Sequence, residues 1–195
     1  MHAADAAVEA AILDVVGPGP VGRLLDLGTG TGRILQLLGA RTTRAVGVDS
    51  SHSMLSVARA NLERAGVSGC ELRQGDVYCP PIEAGAFDLV VIHQVLHYLD
   101  DPDRAIAEAA RLLAPGGRLL VVDFAPHRHE FLRDAQAHRR LGFDHDQVSR
   151  WLDSSGLRCS HVRDLQPPSG DAGLTVTVWL ASEPSPVTSA MKGVA

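Results

Sequence analysis

Three glycines and two carboxylic acids are the residues whose types and spacing point most directly to chemistry. Gly28, Gly30 and Gly32 alternate with threonines in "DLGTGTGR", directly after an apolar run. Glycine allows a sharp backbone turn and lets a ligand lie against the chain. Asp26 precedes the loop, and Asp49 ends the next apolar run, about 20 residues further on, where an acid can accept hydrogen bonds from ribose hydroxyls. The pattern therefore predicts a site for a ribose-bearing ligand.

The spacing of the glycines also separates this loop from two common nucleotide-binding loops. A nicotinamide or flavin site prefers G-x-G-x-x-G, and its third glycine would fall on Arg33. The sequence G-x-x-x-x-G-K-[ST] of a phosphate-binding P-loop is absent from the chain. A single glycine would often indicate only a tight turn, but three alternating ones flanked by Asp26 and Asp49 disfavour that interpretation.

Apolar runs alternate with helical patterns along the first two thirds of the chain. Buried strands are predicted at 21–27, 44–51, 70–76, 87–94 and 118–124. Such near-continuous apolar strands, alternating with helices, are typical of a parallel sheet that is covered on both faces. The segment "APGG" is predicted to end the helix "DPDRAIAEAARLL", and Trp151 is predicted to lie in the core under the short helix "DQVSRWLDSSG".

Two alternating segments near the end of the chain, "LRCSHVRDL" and "LTVTVWLA", predict an antiparallel pair at one edge of the sheet. The predicted fold class is therefore α/β, a Rossmann-like doubly wound sheet that is mostly parallel with an antiparallel C-terminal edge pair. We expect a single domain over residues 1–182, with a lid-like insert at about 125–145. Residues 183–195 are rich in proline and serine and are expected to be disordered.

Composition excludes several classes of protein. The 195 residues carry a net charge of −5, which disfavours a nucleic-acid-binding surface. Cys70, Cys79 and Cys159 form no C-x-x-C pair, which disfavours a disulfide framework or a thiolate metal site and suggests the cytoplasm. The N-terminal stretch lacks a basic start and a long apolar run, so neither a signal peptide nor a membrane span is expected.

Four segments together resemble a known family. "LLDLGTGTG", "AVGVDSSHSML", "QGDVYCPP…FDLVVIHQVLHYLDDP" and "LLAPGGRLLVVDF" are similar to the successive motifs of the class I S-adenosylmethionine-dependent methyltransferases, in the same order, over about residues 21–124. "FLRDAQAHRRLGF" with "LTVTVWLA" resembles the methyltransferase half of bacterial proteins fused to an ArsR-type winged helix. No winged-helix sequence is present, so the chain either stands alone or is a fragment of a longer regulator fusion.

The resemblance implies S-adenosyl-L-methionine as the cofactor and assigns roles to residues. The glycine loop would hold the methionine and ribose part, Asp26 the ammonium group through water, and Asp49 the ribose hydroxyls. Asp76 and Val77 would contact the adenine, and His93 would lie near the methyl group. The implied cofactor-binding residues are Asp26, Gly28, Thr29, Gly30, Gly32, Asp49, Ser50, Met54, Asp76, Val77 and His93.

Methyl transfer from a sulfonium needs an aligned acceptor more than a particular catalytic group, and a base only where the acceptor must lose a proton. The candidate catalytic residues are His93, His97 and His138. His97 lies among apolar residues, so a packed histidine is an equally good interpretation, and Tyr98 is expected to pack rather than react.

The polar insert after the fifth strand carries two further patterns. "HRHE" could suggest a metal site, but without a carboxylate at helical spacing a solvated segment is favoured, and no metal is predicted. "HRR" could bind an anionic acceptor through Arg139, because a guanidinium suits carboxylate or phosphate, or it could be an exposed face or a subunit contact.

Three functions remain open at this stage. The first is methyl transfer to a small-molecule acceptor through oxygen, nitrogen, carbon or sulfur, without nucleic acid or membrane as partner. The second is a non-catalytic S-adenosylmethionine-sensing module of a regulator, and the third, less favoured, is a nicotinamide-dependent oxidoreductase. About twenty residues precede the first strand, so the cavity is expected to be open or to be closed by a second subunit of a homodimer.

Overall fold

A seven-stranded sheet with helices on both faces forms the structure, a computed structural model that describes residues 3–130, 139–167 and 173–184. The strands are β1 Gly22–Leu27, β2 Thr42–Asp49, β3 Cys70–Gln74, β4 Phe87–His93, β5 Leu113–Phe124, β6 Arg158–Leu165 and β7 Val176–Ser182. The helices are α1 Ala3–Val16, α2 Arg33–Leu38, α3 His52–Arg64, α4 Pro102–Leu112 and α5 His145–Ser154. Single 3₁₀ turns lie at Gly39–Arg41 and Leu96–Tyr98.

The strand order is β3-β2-β1-β4-β5-β7-β6, with β1 to β5 mutually parallel and β7 antiparallel to both of its neighbours. This arrangement confirms the predicted fold class. The chain winds outwards in one direction through β1, β2 and β3 and in the other from β4. The crevice outside the carboxyl ends of β1 and β4 is therefore the expected ligand position of an open α/β sheet.

Alternation along the strands sorts the core into two layers. On β1, Leu24 packs in the layer with α1 and α2, whereas Leu25 packs in the layer with α4 and α5. The same parity places Asp26 and His93 on the α1 and α2 face of the sheet. Asp123 of β5 follows Leu119 and Val121, which pack in the other layer, and therefore projects to the opposite face.

The largest departure from the sequence prediction concerns the start of β5. The strand begins at Leu113, directly after α4. The segment "APGG" therefore lies inside the strand and does not form a separate turn between helix and strand. The backbone of Leu113 is already extended, and Gly116 adopts the positive φ of 76° that the sharp turn requires. The register then jumps by several residues opposite β4, which accommodates the extra length as a bulge.

Smaller differences follow from local geometry. β3 ends at Gln74, two residues before the predicted end, because the Asp76 carboxylate accepts from Tyr78 N–H and folds the chain back. Trp151 is half-buried against Phe143 and is not part of the fully buried core.

Some predictions concern residues outside the described ranges. His138, most of the predicted lid and nearly all of the predicted tail belong to this group. Within residues 3–130, 139–167 and 173–184, the helices are all too short or too polar to cross a membrane. All three cysteines lie in those ranges and are present as free thiols.

Candidate functional site

The three glycines after β1 serve three different purposes. Gly28 has φ of 76°, and a Cβ there would lie 2.4 Å from a methyl group of Val95, so this glycine permits close internal packing. A Cβ on Gly32 would lie 3.2 Å from the Cβ of Ala58, so this glycine lets α3 approach the loop. Gly30 has φ of 51°, and a Cβ there would meet only one atom, at 3.9 Å. Gly30 therefore leaves open space for a ligand.

The backbone donors of this loop are used within the protein. The N–H groups of Gly28 and Thr29 donate to one carbonyl oxygen of β2, at 2.8 and 2.9 Å. Gly30 N–H donates to Asp49 Oδ2 at 2.8 Å, and Gly32 N–H donates to the Thr29 carbonyl at 2.8 Å. The N–H groups of these four residues are therefore all bonded within the protein.

Asp49 stands at the carboxyl end of β2 and joins two loops. Besides the bond from Gly30, its Oδ1 accepts from Ser51 N–H at 2.9 Å. Ser51 in turn caps α3 by accepting from Met54 N–H at 3.3 Å. Each carboxylate oxygen has more than one acceptor position, so Asp49 retains capacity for the hydroxyl groups of a ribose.

Asp26 is buried, and only one of its two carboxylate oxygens has a hydrogen-bond partner among the described residues. Its Oδ2 accepts from the Thr29 hydroxyl at 2.6 Å, whereas Oδ1 has no hydrogen-bond partner among the described residues. Burial raises the pKa of Asp26 to about 7, with a smaller contribution from the Asp49 charge, against the opposing effect of the Thr29 hydrogen bond. An unpaired buried carboxylate is costly, so this position suits a cationic ligand group.

A cavity of about 600 Å³ opens between the glycine loop, α1 and the end of β4. This volume lies within the range of about 300–1,000 Å³ that is common for small-molecule sites. Of the residues predicted to bind the cofactor, those that line the cavity are Asp26, Gly28, Thr29, Gly30, Met54 and His93. The others, which are not among the lining residues, are Gly32, Asp49, Ser50, Asp76 and Val77.

The predicted adenine contacts form a separate turn after β3. Asp76 is exposed, and its Oδ1 accepts from Tyr78 N–H at 2.9 Å. Val77 packs against the core layer of α4 and α5. Both residues remain predicted cofactor contacts that are not part of the cavity wall itself.

The wall after β4 contains groups that could face an acceptor. His93 is partly buried at the strand end, and its burial lowers the pKa of the imidazole, which keeps it neutral at neutral pH. Gln94 has φ of 54° although it is not glycine, and its N–H donates to the Val122 carbonyl at 2.7 Å. Tyr98 lines the cavity with 45% of its surface exposed, and its ring also packs against the His97 ring.

His97 lies behind this wall. Its Nδ1 is 2.7 Å from Asp123 Oδ1, and both side chains are buried. The His97 ring also lies 4.0 Å from the Tyr98 ring and 4.9 Å from the Phe124 ring, measured between centroids. This arrangement favours the interpretation of His97 as a packed histidine, with a carboxylate as its partner.

The polar segment that returns from the insert contacts the same turn. The N–H groups of Arg139 and Arg140 donate to the His97 carbonyl at 2.9 and 3.1 Å. The Arg139 guanidinium pairs with the Asp100 carboxylate, and neither arginine lines the cavity. Of the alternatives for "HRR", these contacts favour an exposed structural segment over an anion site. In the part of the chain that the structure describes, no three histidine, cysteine or acidic residues gather as metal ligands.

Sequence reasoning missed the residues that close the cavity from the α1 side. Asp5, Val8, Glu9 and Ile12 line it from α1, and Arg33 lines it from the start of α2. The Arg33 Nε donates to Glu9 Oε1 across the cavity edge. The recurrence of these α1 residues at helical spacing was the available signal, but it does not by itself identify the packing partner.

Comparisons with known proteins agree with this site. Residues 25–121 match the family model described as a methyltransferase domain. The demethylmenaquinone methyltransferase of Thermus thermophilus is 40% identical over 106 residues, which are 53% of this chain and 48% of the relative. The malonyl-[acyl-carrier protein] O-methyltransferase of Methylococcus capsulatus is 37% identical over 111 residues, 56% of this chain and 39% of the relative. Each of these two matches spans less than half of the relative's own length.

Solved structures match over almost the whole chain. An S-adenosylmethionine-dependent methyltransferase from Mesorhizobium loti has a TM-score of 0.73 and 21% identity, covering 92% of this chain and 97% of its own. Geranyl diphosphate methyltransferase in complex with S-adenosylmethionine has a TM-score of 0.75 and 20% identity, covering 91% and 84%. At this identity the likeness shows the fold. The family model and the methyltransferase relatives identify residues 25–121 as a methyltransferase domain.

Proposed function

We propose that the protein transfers the methyl group of S-adenosylmethionine to a small-molecule acceptor by in-line displacement. The observation that carries this proposal is the cavity outside β1 and β4, which joins the half-satisfied Asp26 carboxylate to a wall formed by His93, Gln94 and Tyr98. One end thus suits the ammonium group of the cofactor, and the other has polar groups for an acceptor. The names of the relatives, which include quinone and malonyl-carrier methyltransferases, support a non-nucleic-acid acceptor.

The residues of the chain have separate tasks in this mechanism. Asp26 attracts the ammonium group, and Asp49 accepts from the ribose hydroxyls while it holds Gly30 in place. The cofactor, when bound, supplies the methyl group and a neutral leaving group. The protein must align the acceptor and exclude water, an effect that can lower the barrier by roughly 7–11 kcal/mol.

His93 is the residue best placed to accept a proton from the acceptor. It lines the cavity at the end of β4, and its lowered pKa leaves the imidazole unprotonated at neutral pH. A positioned general base contributes roughly 10²–10⁴-fold where the acceptor must lose a proton. For an acceptor that carries no such proton, His93 serves only as part of the wall.

The test is product formation. The protein is incubated with S-adenosylmethionine and a panel of phenolic, amine, thiol and enol acceptors, and S-adenosylhomocysteine and methylated products are quantified by mass spectrometry. The proposal expects both products in equal amounts with at least one acceptor class. Tight binding of the cofactor without either product over the whole panel would instead indicate a sensing module. His93→Gln should lower turnover of a protic acceptor by roughly 10²-fold.

A further inference from the structure

The charged side chains that line the cavity are mostly acidic. In the part of the chain that the structure describes, they are Asp5, Glu9, Asp26 and Arg33. His93 adds no charge at neutral pH, because its burial lowers the pKa of the imidazole. The cavity therefore has an excess of two negative charges when Asp26 is ionised and of one when Asp26 is protonated.

The two acids of α1 lie on one face of that helix, and their charges reach the acceptor end of the cavity. Asp5 and Glu9 are four residues apart, so their side chains are neighbours on the helix surface. Burial lowers the pKa of His93, whereas the charges of Asp123, Glu9 and Asp5 oppose this decrease. The imidazole best placed to accept a proton from the acceptor is therefore within the field of both α1 carboxylates.

Arg33 reduces the negative charge on this side of the cavity without removing it. Its Nε donates to Glu9 Oε1. The pKa of the guanidinium is raised chiefly by this hydrogen bond, with a further contribution from the Asp5 charge. One guanidinium beside two carboxylates leaves one negative charge in excess, whichever of the two carboxylates it contacts.

The cofactor does not remove that excess. S-adenosylmethionine has a sulfonium, an ammonium and a carboxylate group, and so carries one net positive charge. An ionised Asp26 at the ammonium group balances this charge. An acceptor beside the methyl group then meets a site whose remaining charge is that of α1. Unit charges near a protein surface interact more strongly than in bulk water, so this charge should influence which acceptor binds.

The two arginines considered as an anion site from the sequence contact a different part of the protein. The Arg139 guanidinium pairs with the Asp100 carboxylate. Arg140 Nη2 donates to the Asp100 carbonyl at 2.6 Å. Neither arginine is among the lining residues of the cavity. These contacts direct both guanidinium groups to the turn before α4 and not to the acceptor.

We propose that Asp5 and Glu9 select the acceptor by charge, so that the site prefers a small molecule with an ammonium group and disfavours one with a carboxylate. The inference rests on the proposed methyl transfer. In that reaction the accepting atom forms a bond to the methyl carbon, and the carbon–sulfur bond breaks with its electron pair remaining on sulfur. The proton of a protic acceptor passes to His93. The ammonium group of the acceptor serves for binding alone.

Matched acceptors in three charge forms test the proposal. Tyramine, 4-propylphenol and 3-(4-hydroxyphenyl)propionate are a cationic, a neutral and an anionic phenol of similar size. Cysteamine, 1-propanethiol and 3-mercaptopropionate are the corresponding thiols, and the same comparison is made within any other acceptor class that the protein methylates. The kcat/KM for release of S-adenosylhomocysteine should be roughly tenfold or more higher for the cationic than for the anionic form, and this ratio should shrink as ionic strength rises.

Substitutions on α1 show whether the two acids cause the preference. Asp5→Asn and Glu9→Gln should each lower the cationic-to-anionic ratio of kcat/KM roughly threefold or more, and the double variant should remove the preference. Asp14→Asn is the matched control and should leave the ratio unchanged. Asp14 lies on the same helix, pairs with Arg163 and is not a lining residue of the cavity.

The ratio also separates selection from a structural effect. A variant that only disturbs the fold lowers turnover of all charge forms by the same factor and leaves the ratio unchanged. Asp5 is exposed, so Asp5→Asn provides the test should Glu9→Gln fail to fold, as judged by its circular dichroism spectrum.

Three results would overturn the inference while leaving methyl transfer intact. The first is an unmodified protein that prefers the anionic form or treats all charge forms alike. The second is a ratio that stays unchanged in both Asp5→Asn and Glu9→Gln. The third is a change in Asp14→Asn as large as that in Asp5→Asn. If no acceptor of any charge is methylated, the proposed function itself fails, and the inference fails with it.

Discussion

Two buried aspartates lie at the carboxyl ends of parallel strands, on opposite faces of the sheet. Their surroundings differ. Asp26 on the α1 and α2 face receives one hydroxyl group, and its burial raises its pKa to about 7. Asp123 on the other face is paired with His97 at 2.7 Å and also accepts from Phe124 N–H at 2.8 Å. Oδ1 of the first carboxylate has no partner among the described residues, whereas the second carboxylate has the His97 imidazole beside it.

This difference separates a binding position from a structural one. The Asp26 carboxylate borders the cavity, so a ligand can supply the missing charge. The His97–Asp123 pair connects the turn after β4 to the end of β5 and does not border the cavity. Removing Asp26 should therefore lower ligand affinity, whereas removing Asp123 should lower stability.

The largest effect is expected from Asp123→Ala. Breaking a buried pair leaves His97 without its carboxylate, and the free energy of unfolding should fall by roughly 3–5 kcal/mol. Denaturant unfolding measures this change. The control is Asp100→Ala, which removes the exposed pair with Arg139 and should cost less than about 1 kcal/mol. Similar losses in the two variants would contradict the structural role of the buried pair.

Asp49→Ala should weaken cofactor binding next most strongly. Hydrogen bonds from hydroxyl groups to a charged acceptor are worth roughly 1.5–3 kcal/mol each, and the substitution also releases Gly30 N–H. Calorimetry with S-adenosylhomocysteine measures the loss. A dissociation constant that stays within error of the unmodified value would mean that the ribose is not held at the end of β2.

The pH dependence of cofactor affinity tests the binding role of Asp26. Below a pH of about 7 Asp26 is protonated and loses its attraction for an ammonium group, so affinity should fall as pH decreases. From pH 8 to pH 6 the dissociation constant should rise roughly tenfold, and Asp26→Asn should remove the trend. Calorimetry across this range is the measurement, and an Asp26→Asn profile identical to that of the unmodified protein would exclude Asp26 as the titrating group.

The stability of the free protein should show the opposite trend. Because folding raises the pKa of Asp26 from 3.8 to about 7, the folded state binds more protons than the unfolded state between these values. Asp26 therefore makes the free energy of unfolding fall as pH rises through this interval. Comparison of unfolding curves for the unmodified protein and Asp26→Asn isolates this contribution.

The smallest expected effect is a difference in ligand affinity between alanine variants of two glycines with similar backbone conformations. Gly30 and Gly66 both have positive φ, 51° and 68°, and a Cβ added to either would have no close neighbour. Substitution of either by alanine should therefore cost about 1–2 kcal/mol of stability. Only Gly30→Ala should also weaken binding of S-adenosylhomocysteine, because only Gly30 lines the cavity. Equal affinities in the two variants would show that no ligand approaches Gly30.

Local sequence patterns predicted the parts of this site that depend on one strand and the turn after it. The order of apolar runs predicted the sheet, and the Gly28 to Gly32 loop with Asp26 predicted the ligand end of β1. Strand alternation, which places Asp26 and His93 on the same face, is readable from the sequence as well. These features need only short-range periodicity and the rules of parallel sheets.

The features that sequence reasoning missed depend on contacts between distant segments. Arg33 looked like a departure from a nicotinamide loop, and its partner Glu9 lies 24 positions away on a separate helix. Asp123 looked like the end of an apolar strand until His97 was placed beside it. The start of β5 was wrong because a proline and two glycines favour a break, whereas pairing with β4 overrides that local preference.

A crystal structure of the protein with S-adenosylhomocysteine tests the central claim most directly. The account predicts the ligand between the glycine loop and α1, with its ammonium group on Asp26 Oδ1 directly or through one water and its ribose hydroxyls on Asp49. Density for the nucleoside outside this cavity, or an Asp26 carboxylate that stays out of contact with the ligand, would contradict it.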